Sequence, residues 1–471
     1  MACQIAIAQL IEIVNGEVVS GIPGEISGVE FDSRAVISGS LFVALPGENT
    51  HGHQYLSTAF EKGAACAFVE DRSLLESSPF SSKLIYVPST LDALWSIARY
   101  WRTRLSCPVV GITGSMGKTT AKELLAQLLS TKSAGNYSKK SFNNHIGVPY
   151  TICQTSLNAP WLVLEMGMNH VGELRALTQI ACPTHVWITC VAPVHIEFFE
   201  SLSAIADAKF EILEGLARHG ALVVNSEDVE VRSALSRSVD FVRDRKITVL
   251  RYGNAEGAAL RVSDINSNGL DGVSCVVESN NAPVAVSVPM PGSHNAYLAA
   301  GAMLVASTLF PELTLPEMAS ALTKFKRPAM RMNTVVLKSG MTVIDDSYNA
   351  NLEAMKASLR LLAEFAVKGK KVAALLGDMR EVGSHVEEYH REIGRVAGAI
   401  RPTVVVTVGE GSRFLGEEVL KFGVPWTDAE SPEAAAREIW RSGADVVLVK
   451  ASRGVELDRA VAELVRLDGE K

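Results

Sequence analysis

No apolar run in this 471-residue chain is long enough to span a bilayer, which takes about 20 residues as a helix, so no membrane-spanning helix is expected. Basic charge is not in excess. The 45 Lys and Arg face 52 Asp and Glu, for a formal net charge of -7 and a pI near 5.9. A general nucleic-acid or membrane-surface binder needs a basic field that this chain lacks. Cysteine is sparse: Cys3, Cys66, Cys107, Cys153, Cys182, Cys190 and Cys275 form no C-x-x-C pair and no disulfide-framework spacing, so a reducing cytoplasm is expected. Internal repeats and low-complexity segments are absent as well. The N-terminal MACQIAIAQLIEIVNG has no basic region before its apolar residues and is broken by Gln4, Gln9 and Glu12, so it reads as an amphipathic helix rather than a signal peptide.

What is present is a soluble globular composition, 47% hydrophobic and 21% charged, on a chain long enough for two to four domains. The pattern is α/β in three parts. Residues 1–88 mix short strand patterns with turns and predict a small α/β domain. Over 89–326, helical stretches alternate with the apolar runs CPVVGIT, WLVLEMG, HVWITCV and ALVVN, the signature of a mostly parallel sheet, with an antiparallel addition near 251–290. Over 327–471, TVIDD, KVAALLGDM, TVVVTVG and DVVLVKAS are each followed by a helical pattern and predict a doubly wound, Rossmann-like domain.

The central part opens with VVGITGSMGKTTAKELL at 109–125: an apolar strand, a turn with Gly114 and Gly117, then a helical pattern. Backbone N–H groups of such a loop curl around an anion, the helix directs its positive end at the same point, and Lys118 adds charge. Thr119 would set a hydroxyl on the magnesium of a nucleotide triphosphate. The spacing departs from G-x-x-x-x-G-K-[ST], because Ile112 occupies the first glycine position. Strand before and helix after supply the context that the motif requires.

Three polar residues follow later in this part. Glu165 ends WLVL, where a carboxylate is either a magnesium ligand or a strand emerging into water. His195 closes HVWITCVAPVH. Lys209 lies on the apolar stripe of SAIADAKFEILEGLARHG, with Ile205, Ile212, Leu213 and Leu216, while Asp207, Glu211 and Glu214 fall on another face. A lysine held there is either a neutral, reactive amine or a stem that snorkels its ammonium to water.

These elements, with G-S-H-N at 292–295, DDSYNAN at 345–351, G-D-M at 377–379 and K-A-S-R at 450–453, occur in the order found in the Mur ligases, which the chain resembles over nearly its whole length. Residues 32–53 resemble that family's uridine-nucleotide domain, and the DDSYNAN run is similar to the branch that joins D-alanyl-D-alanine to UDP-N-acetylmuramoyl-tripeptide. The resemblance implies an ATP-dependent amide ligase acting through an acyl phosphate. It implies that Thr113, Gly114, Ser115, Met116, Gly117, Lys118 and Thr119 hold the triphosphate, and that Thr119, Glu165, His195 and a carbamylated Lys209 hold two Mg2+ ions. Lys118, Glu165, His195 and Lys209 form the implied catalytic set. Asn295 would meet adenine, Arg331 the phosphates from across the domain junction, and Asp346 the ribose.

On the substrate side the resemblance assigns Ser33 and Arg34 to the uridine diphosphate, Asn143 and Asn144 to the muramoyl peptide, and Lys450, Ser452 and Arg453 to the dipeptide carboxylate. Several positions differ from the family pattern: Met116, Leu298, Met330, Leu352 and Ala451 replace the usual residues, and the segment between Gly135 and Asn143 is longer. Two rivals stand beside this reading. One is a sister ligase adding a single amino acid to a muramoyl peptide or a folate; the other is a nucleotide-gated binding protein without ligation.

Overall fold

In a computed structural model the chain is described over residues 3–47, 50–279 and 282–469; Glu48 and Asn49, inside the 32–53 segment, lie outside the described residues. The first sheet has four parallel strands in chain order, Gly28–Glu30, Ser40–Val43, Cys66–Val69 and Leu84–Tyr86. The N-terminal helix is shorter than the sequence pattern, Ile7–Val14, because Ile5–Ala6 pairs as a strand with Glu25–Ile26.

The central sheet has nine strands. From one edge they run Asn136–Tyr137, Leu162–Glu165, Val109–Thr113, His185–Ile188, Ala221–Asn225, Thr248–Gly253 and Leu260–Ser267, all parallel. Val273–Ser279 and Ala282–Val288 complete it antiparallel. The inner strands Val109–Thr113, Leu162–Glu165, His185–Ile188 and Ala221–Asn225 are mostly apolar because both faces are covered. Val109, Leu162, Leu164, Val186 and Ile188 point into a core that also holds Ile97, Trp101, Ile152 and Ile205. Their alternates Val110, Ile112, Val163 and Trp187 pack with Leu124, Leu125 and Leu128 of the helix Lys118–Ser130 and with the helix His294–Leu309.

The last sheet has six strands in the order Asn333–Val336, Thr342–Asp345, Val446–Lys450, Val372–Gly377, Val405–Val408 and Trp426–Asp428, parallel except for the first pair. It too buries alternate residues on opposite faces: Ile344, Ala374, Leu376 and Leu448 on one, Val343, Ala373, Leu375 and Val447 on the other. Among the described residues no helix is long and apolar enough to cross a membrane.

Candidate active site

Strand register gathers the site. Thr113 stands opposite Ile188 and Ile112 opposite Glu165, so three neighbouring strands finish level at their carboxyl ends. The chain crosses from one side of Val109–Thr113 to the other here, the kind of switch point at which open α/β sheets bind ligands. Gly114 leaves the strand at φ 149, and a Cβ there would stand 1.9 Å from Thr189 Oγ1. Gly117, at φ 78, precedes the helix Lys118–Ser130, whose first N–H groups open on the loop. Ser115 ties the loop to the neighbouring chain: its N–H donates to Cys190 O at 2.8 Å and its hydroxyl to Ala192 O at 2.9 Å. The Thr189 hydroxyl donates to Met116 O at 2.6 Å.

Lys118 Nζ folds back onto Gly114 O at 2.7 Å. Burial lowers its affinity for a proton, with the Glu165 carboxylate opposing that shift. Glu165 is 1% exposed, and its Oε1 accepts from the Thr119 hydroxyl at 3.1 Å and from Asn143 Nδ2 at 2.9 Å. Of the two readings open for this residue, emergence into water does not occur. Asn144 turns the other way, its Oδ1 accepting from Gly147 N at 2.9 Å at the start of the helix Gly147–Cys153.

Ser201 caps the helix Leu202–Phe210, which buries Ile205, Ala206, Ala208, Lys209 and Phe210. Lys209 is 2% exposed, and its side-chain amine has no hydrogen bond or ion pair among the described residues. Burial, and then the Lys118 ammonium, push its amine well below the ordinary lysine range. The snorkelling alternative therefore fails. After Phe210 the α-helix tightens into a 3-10 turn over Glu211–Gly215. Glu211 is buried there and accepts the Gly172 N–H at 2.8 Å, while Thr178 Oγ1 holds Ile212 O at 2.8 Å.

His195 holds a left-handed φ of 60. Its Nδ1 lies 2.6 Å from Glu381 Oε2 of the C-terminal domain, although the ring N–H is not aligned for a hydrogen bond. The C-terminal domain also delivers Arg331, whose guanidinium donates to Thr119 Oγ1 at 3.0 Å and lies 4.2 Å from the centre of the Tyr348 ring.

Asp346 and Lys450 are brought together but turned inward. Lys450 is 2% exposed, and its Nζ donates to Asp346 Oδ2 at 2.5 Å and Asn349 O at 2.9 Å. Asp346 accepts further from Met332 N at 3.1 Å and from Ser358 Oγ at 2.8 Å. Neither residue ends a strand in open solvent. Ser452 is buried and accepts from Arg380 N at 2.9 Å, whereas Arg453 stays half-exposed beside Asp458. Asn295 is buried, with Nδ2 on Pro291 O at 2.6 Å. In the first domain Ser33 is buried, and Arg34 is exposed and held by both oxygens of Asp32.

Three of the departing residues have definite local settings. Leu298 packs beneath Gly117, and Met330 takes φ 56, a conformation that a glycine adopts without steric cost. Leu352 opens the helix Leu352–Val367 after Asn351, whose side chain accepts from Ala354 N. The long segment after Gly135 adds the edge strand Asn136–Tyr137, and Ser138 Oγ accepts the Glu165 N–H at 3.1 Å.

Lys122 is a residue that the sequence reading missed. It is fully buried, donates to Lys140 O at 2.5 Å, and stands 3.5 Å from Glu165 Oε2 and 3.2 Å from Glu123 Oε1. Its place four residues after Lys118, on the same helix face, was the available signal.

Four buried side-chain polar atoms lack a hydrogen-bond partner among the described residues, and three of them, Thr113 Oγ1, Glu165 Oε2 and His195 Nδ1, belong to this site. Buried polar groups are seldom left without a hydrogen bond, and Glu165 Oε2 and His195 Nδ1 have only ion-pair contacts, with Lys122 and Glu381. No cluster of three or more His, Cys, Asp or Glu side chains suits a metal among the described residues. The donor set instead suits magnesium, which binds through one or two protein groups and keeps waters and phosphate oxygens.

Fold and site together define a phosphate-loop α/β protein whose loop is met by Arg331 of a doubly wound C-terminal domain. The chain belongs to the Mur ligase family. Family models match at residues 25–102 (Mur ligase family, catalytic domain), 112–306 (Mur ligase middle domain) and 330–453 (Mur ligase, glutamate ligase domain). The chain is 32% identical to the UDP-N-acetylmuramoyl-tripeptide--D-alanyl-D-alanine ligase of Bacillus subtilis, over 93% of each chain. It is similar to the solved MurF ligase of Thermotoga maritima in complex with ADP, with 26% identity, a TM-score of 0.76, and coverage of 94% of this chain and 98% of that one. Its fold is like that of MurF from Acinetobacter baumannii, with a TM-score of 0.83 over 99% of both chains at 23% identity.

Proposed function

We propose that this chain is the ATP-dependent ligase that joins D-alanyl-D-alanine to UDP-N-acetylmuramoyl-tripeptide, forming the UDP-linked pentapeptide precursor of peptidoglycan. The observation that carries this reading is the convergence of Lys118, Thr119, Glu165, a depressed Lys209 amine and the C-terminal Arg331 on one phosphate loop. A nucleotide switch without ligation has no use for a buried neutral lysine at that place. Supply of ATP and of the UDP-linked peptide fits a cytoplasmic site of action.

A terminal carboxylate oxygen of the tripeptide attacks the γ-phosphorus and ADP leaves. The amine of D-alanyl-D-alanine then adds to the acyl carbon, and the tetrahedral intermediate expels phosphate. Lys118 turns from Gly114 O to the transferred group and offsets its charge. Arg331 reaches Thr119 at the end of the loop, where its charge would meet the phosphates, so the C-terminal domain has to be in place for transfer, and its presence keeps water from the acyl phosphate. Lys209, as a neutral amine, captures carbon dioxide and releases a proton, becoming a carbamate. Thr119, Glu165, His195 and that carbamate would hold magnesium, which supplies charge neutralisation at the phosphoryl oxygens when bound.

Asn143, on Glu165, orients the carboxylate and faces the muramoyl peptide, while Asn144, committed to Gly147 N, holds the turn beside it. Ser33 and Arg34 receive the diphosphate, for which it competes with Asp32. Asn295 and Asp346 border the nucleoside. Lys450 holds the Asp346–Asn349 loop from inside, so Arg453, beside Ser452, is the cation at that edge able to meet the dipeptide carboxylate.

Phosphate release from MgATP by purified protein tests the reading, with the UDP-tripeptide alone, the dipeptide alone, and both. Release that requires both, with the UDP-pentapeptide found by mass spectrometry, is expected. Release without the dipeptide, or with a single amino acid in its place, would favour a sister ligase.

A further inference from the structure

Glu381 is the residue outside the phosphate loop that most clearly joins two domains at the site. It follows the G-D-M run of 377–379 and takes a left-handed φ of 61, a conformation that residues other than glycine seldom adopt. His195, which it faces, does the same at φ 60. Each stands just before a short 3-10 turn, Ile196–Phe198 on the central side and Gly383–His385 on the C-terminal side. These turns abut: a Cβ on Gly383 would lie 2.8 Å from the Cβ of Glu197. Two uncommon backbone conformations and a close turn-to-turn contact therefore present one carboxylate to one imidazole, 2.6 Å apart. Glu381 makes no other ion pair among the described residues.

A metal-binding histidine usually donates its second ring N–H to a carboxylate or carbonyl, which fixes the tautomer and the ring orientation. Where that partner is in the same domain, the ligand is ready at all times. Here it comes from the other side of a domain junction.

We propose that Glu381 is a positioning residue for His195: by taking the Nδ1 proton as a hydrogen-bond acceptor it turns the ring so that Nε2 faces the phosphate site, and so makes the metal site complete only while the C-terminal domain is seated. The Nδ1–Oε2 separation is already within hydrogen-bond distance, and only the angle departs from one. Arg331 reaches Thr119 from the same domain and leaves His195 untouched, so the two contacts have separable effects. Binding free energies are reciprocal, so metal in the site must also favour the seated domain. The inference rests on the proposed ligase reading, in which His195 meets a second metal ion.

The test compares full-length wild type, Glu381→Ala and Glu381→Gln, with Mn2+ as the probe in the presence of a non-hydrolysable ATP analogue. Mn2+ binding is followed by electron paramagnetic resonance and domain seating by the radius of gyration in solution scattering. For Glu381→Ala, the weaker Mn2+ site loses about 10-fold or more in affinity, within the range for a lost partner of a ligating histidine, and Mn2+ no longer shrinks the particle. Glu381→Gln, whose amide oxygen still accepts from Nδ1, regains most of both. An alanine variant that matches wild type in affinity and compaction overturns the proposal. A glutamine variant as deficient as alanine also overturns it, because Glu381 would then be a metal ligand itself. A wild type that binds a single Mn2+ with the nucleotide overturns the two-metal reading beneath it, a result distinct from either of these.

Discussion

Replacing Lys122 by methionine keeps the unbranched stem in its buried slot and removes only the ammonium. Three partners lose it: Lys140 O at 2.5 Å, Glu123 Oε1 at 3.2 Å and Glu165 Oε2 at 3.5 Å. Glu123 reaches solvent and recovers; Glu165, 1% exposed, does not. Breaking a buried ion pair costs roughly 3–5 kcal/mol. The two carboxylate separations are long, so the low end applies, about 3 kcal/mol with the orphaned carbonyl included. At about 2–4 °C per kcal/mol for a domain of 150–250 residues, the midpoint of the central domain falls by roughly 6–12 °C. Scanning fluorimetry with and without Mg2+ and ADP measures this. Because magnesium restores a cation beside Glu165, it raises the midpoint of the variant more than that of wild type. A fall under about 2 °C with an unchanged magnesium response would refute the argument that Lys122 balances the metal-binding carboxylate.

Lys209→Met abolishes ligation yet stabilises the protein at neutral pH. The native amine binds its proton less readily than the unfolded chain, so wild-type stability rises with pH between the lowered native value and the unfolded value of about 10.4, and the variant loses that slope. Urea midpoints at about pH 7 and pH 9 in carbon-dioxide-free buffer check both parts. Arg331→Ala leaves the unfolding midpoint near that of wild type and lowers kcat by about 10²–10³-fold, the usual effect of removing one preorganised donor from a transition state; a change confined to KM for ATP would contradict it. Lys450→Met strands the carboxylate of Asp346 and destabilises the C-terminal domain by roughly 3–5 kcal/mol. Urea unfolding reports that loss, and an unchanged stability with a raised KM for the dipeptide would instead restore Lys450 as a carboxylate receptor.

The inner strands were legible because they are short, mostly apolar runs on a two-sided sheet, as in Val109–Thr113 and Val372–Gly377. The phosphate loop was legible because its glycines and lysine are adjacent in sequence. Lys209 was legible only as a choice between burial and snorkelling, since periodicity places a residue on a face without saying how deep that face lies. The burial of Glu211 was not legible, because a helical pattern does not show that the stretch tightens after Phe210, where Thr178 and Gly172 take its groups. Lys122 was hidden for a similar reason: a lysine on a packed face looks like a surface stem unless its partner carboxylate, distant in sequence, is known. Glu381 and the inward turn of Lys450 depend on contacts between segments 104 to 186 residues apart, as the pairs Lys450–Asp346 and Glu381–His195 show, and no local pattern encodes those.

Transfer of oxygen from substrate to phosphate tests the ligase account most directly. UDP-N-acetylmuramoyl-tripeptide labelled with 18O in its terminal carboxylate is turned over with MgATP and D-alanyl-D-alanine, and the released phosphate is analysed by mass spectrometry. One labelled oxygen in each phosphate, together with a UDP-pentapeptide that keeps the other in its new amide, is the predicted result. Unlabelled phosphate would mean that ATP is hydrolysed by water and that no acyl phosphate lies on the path.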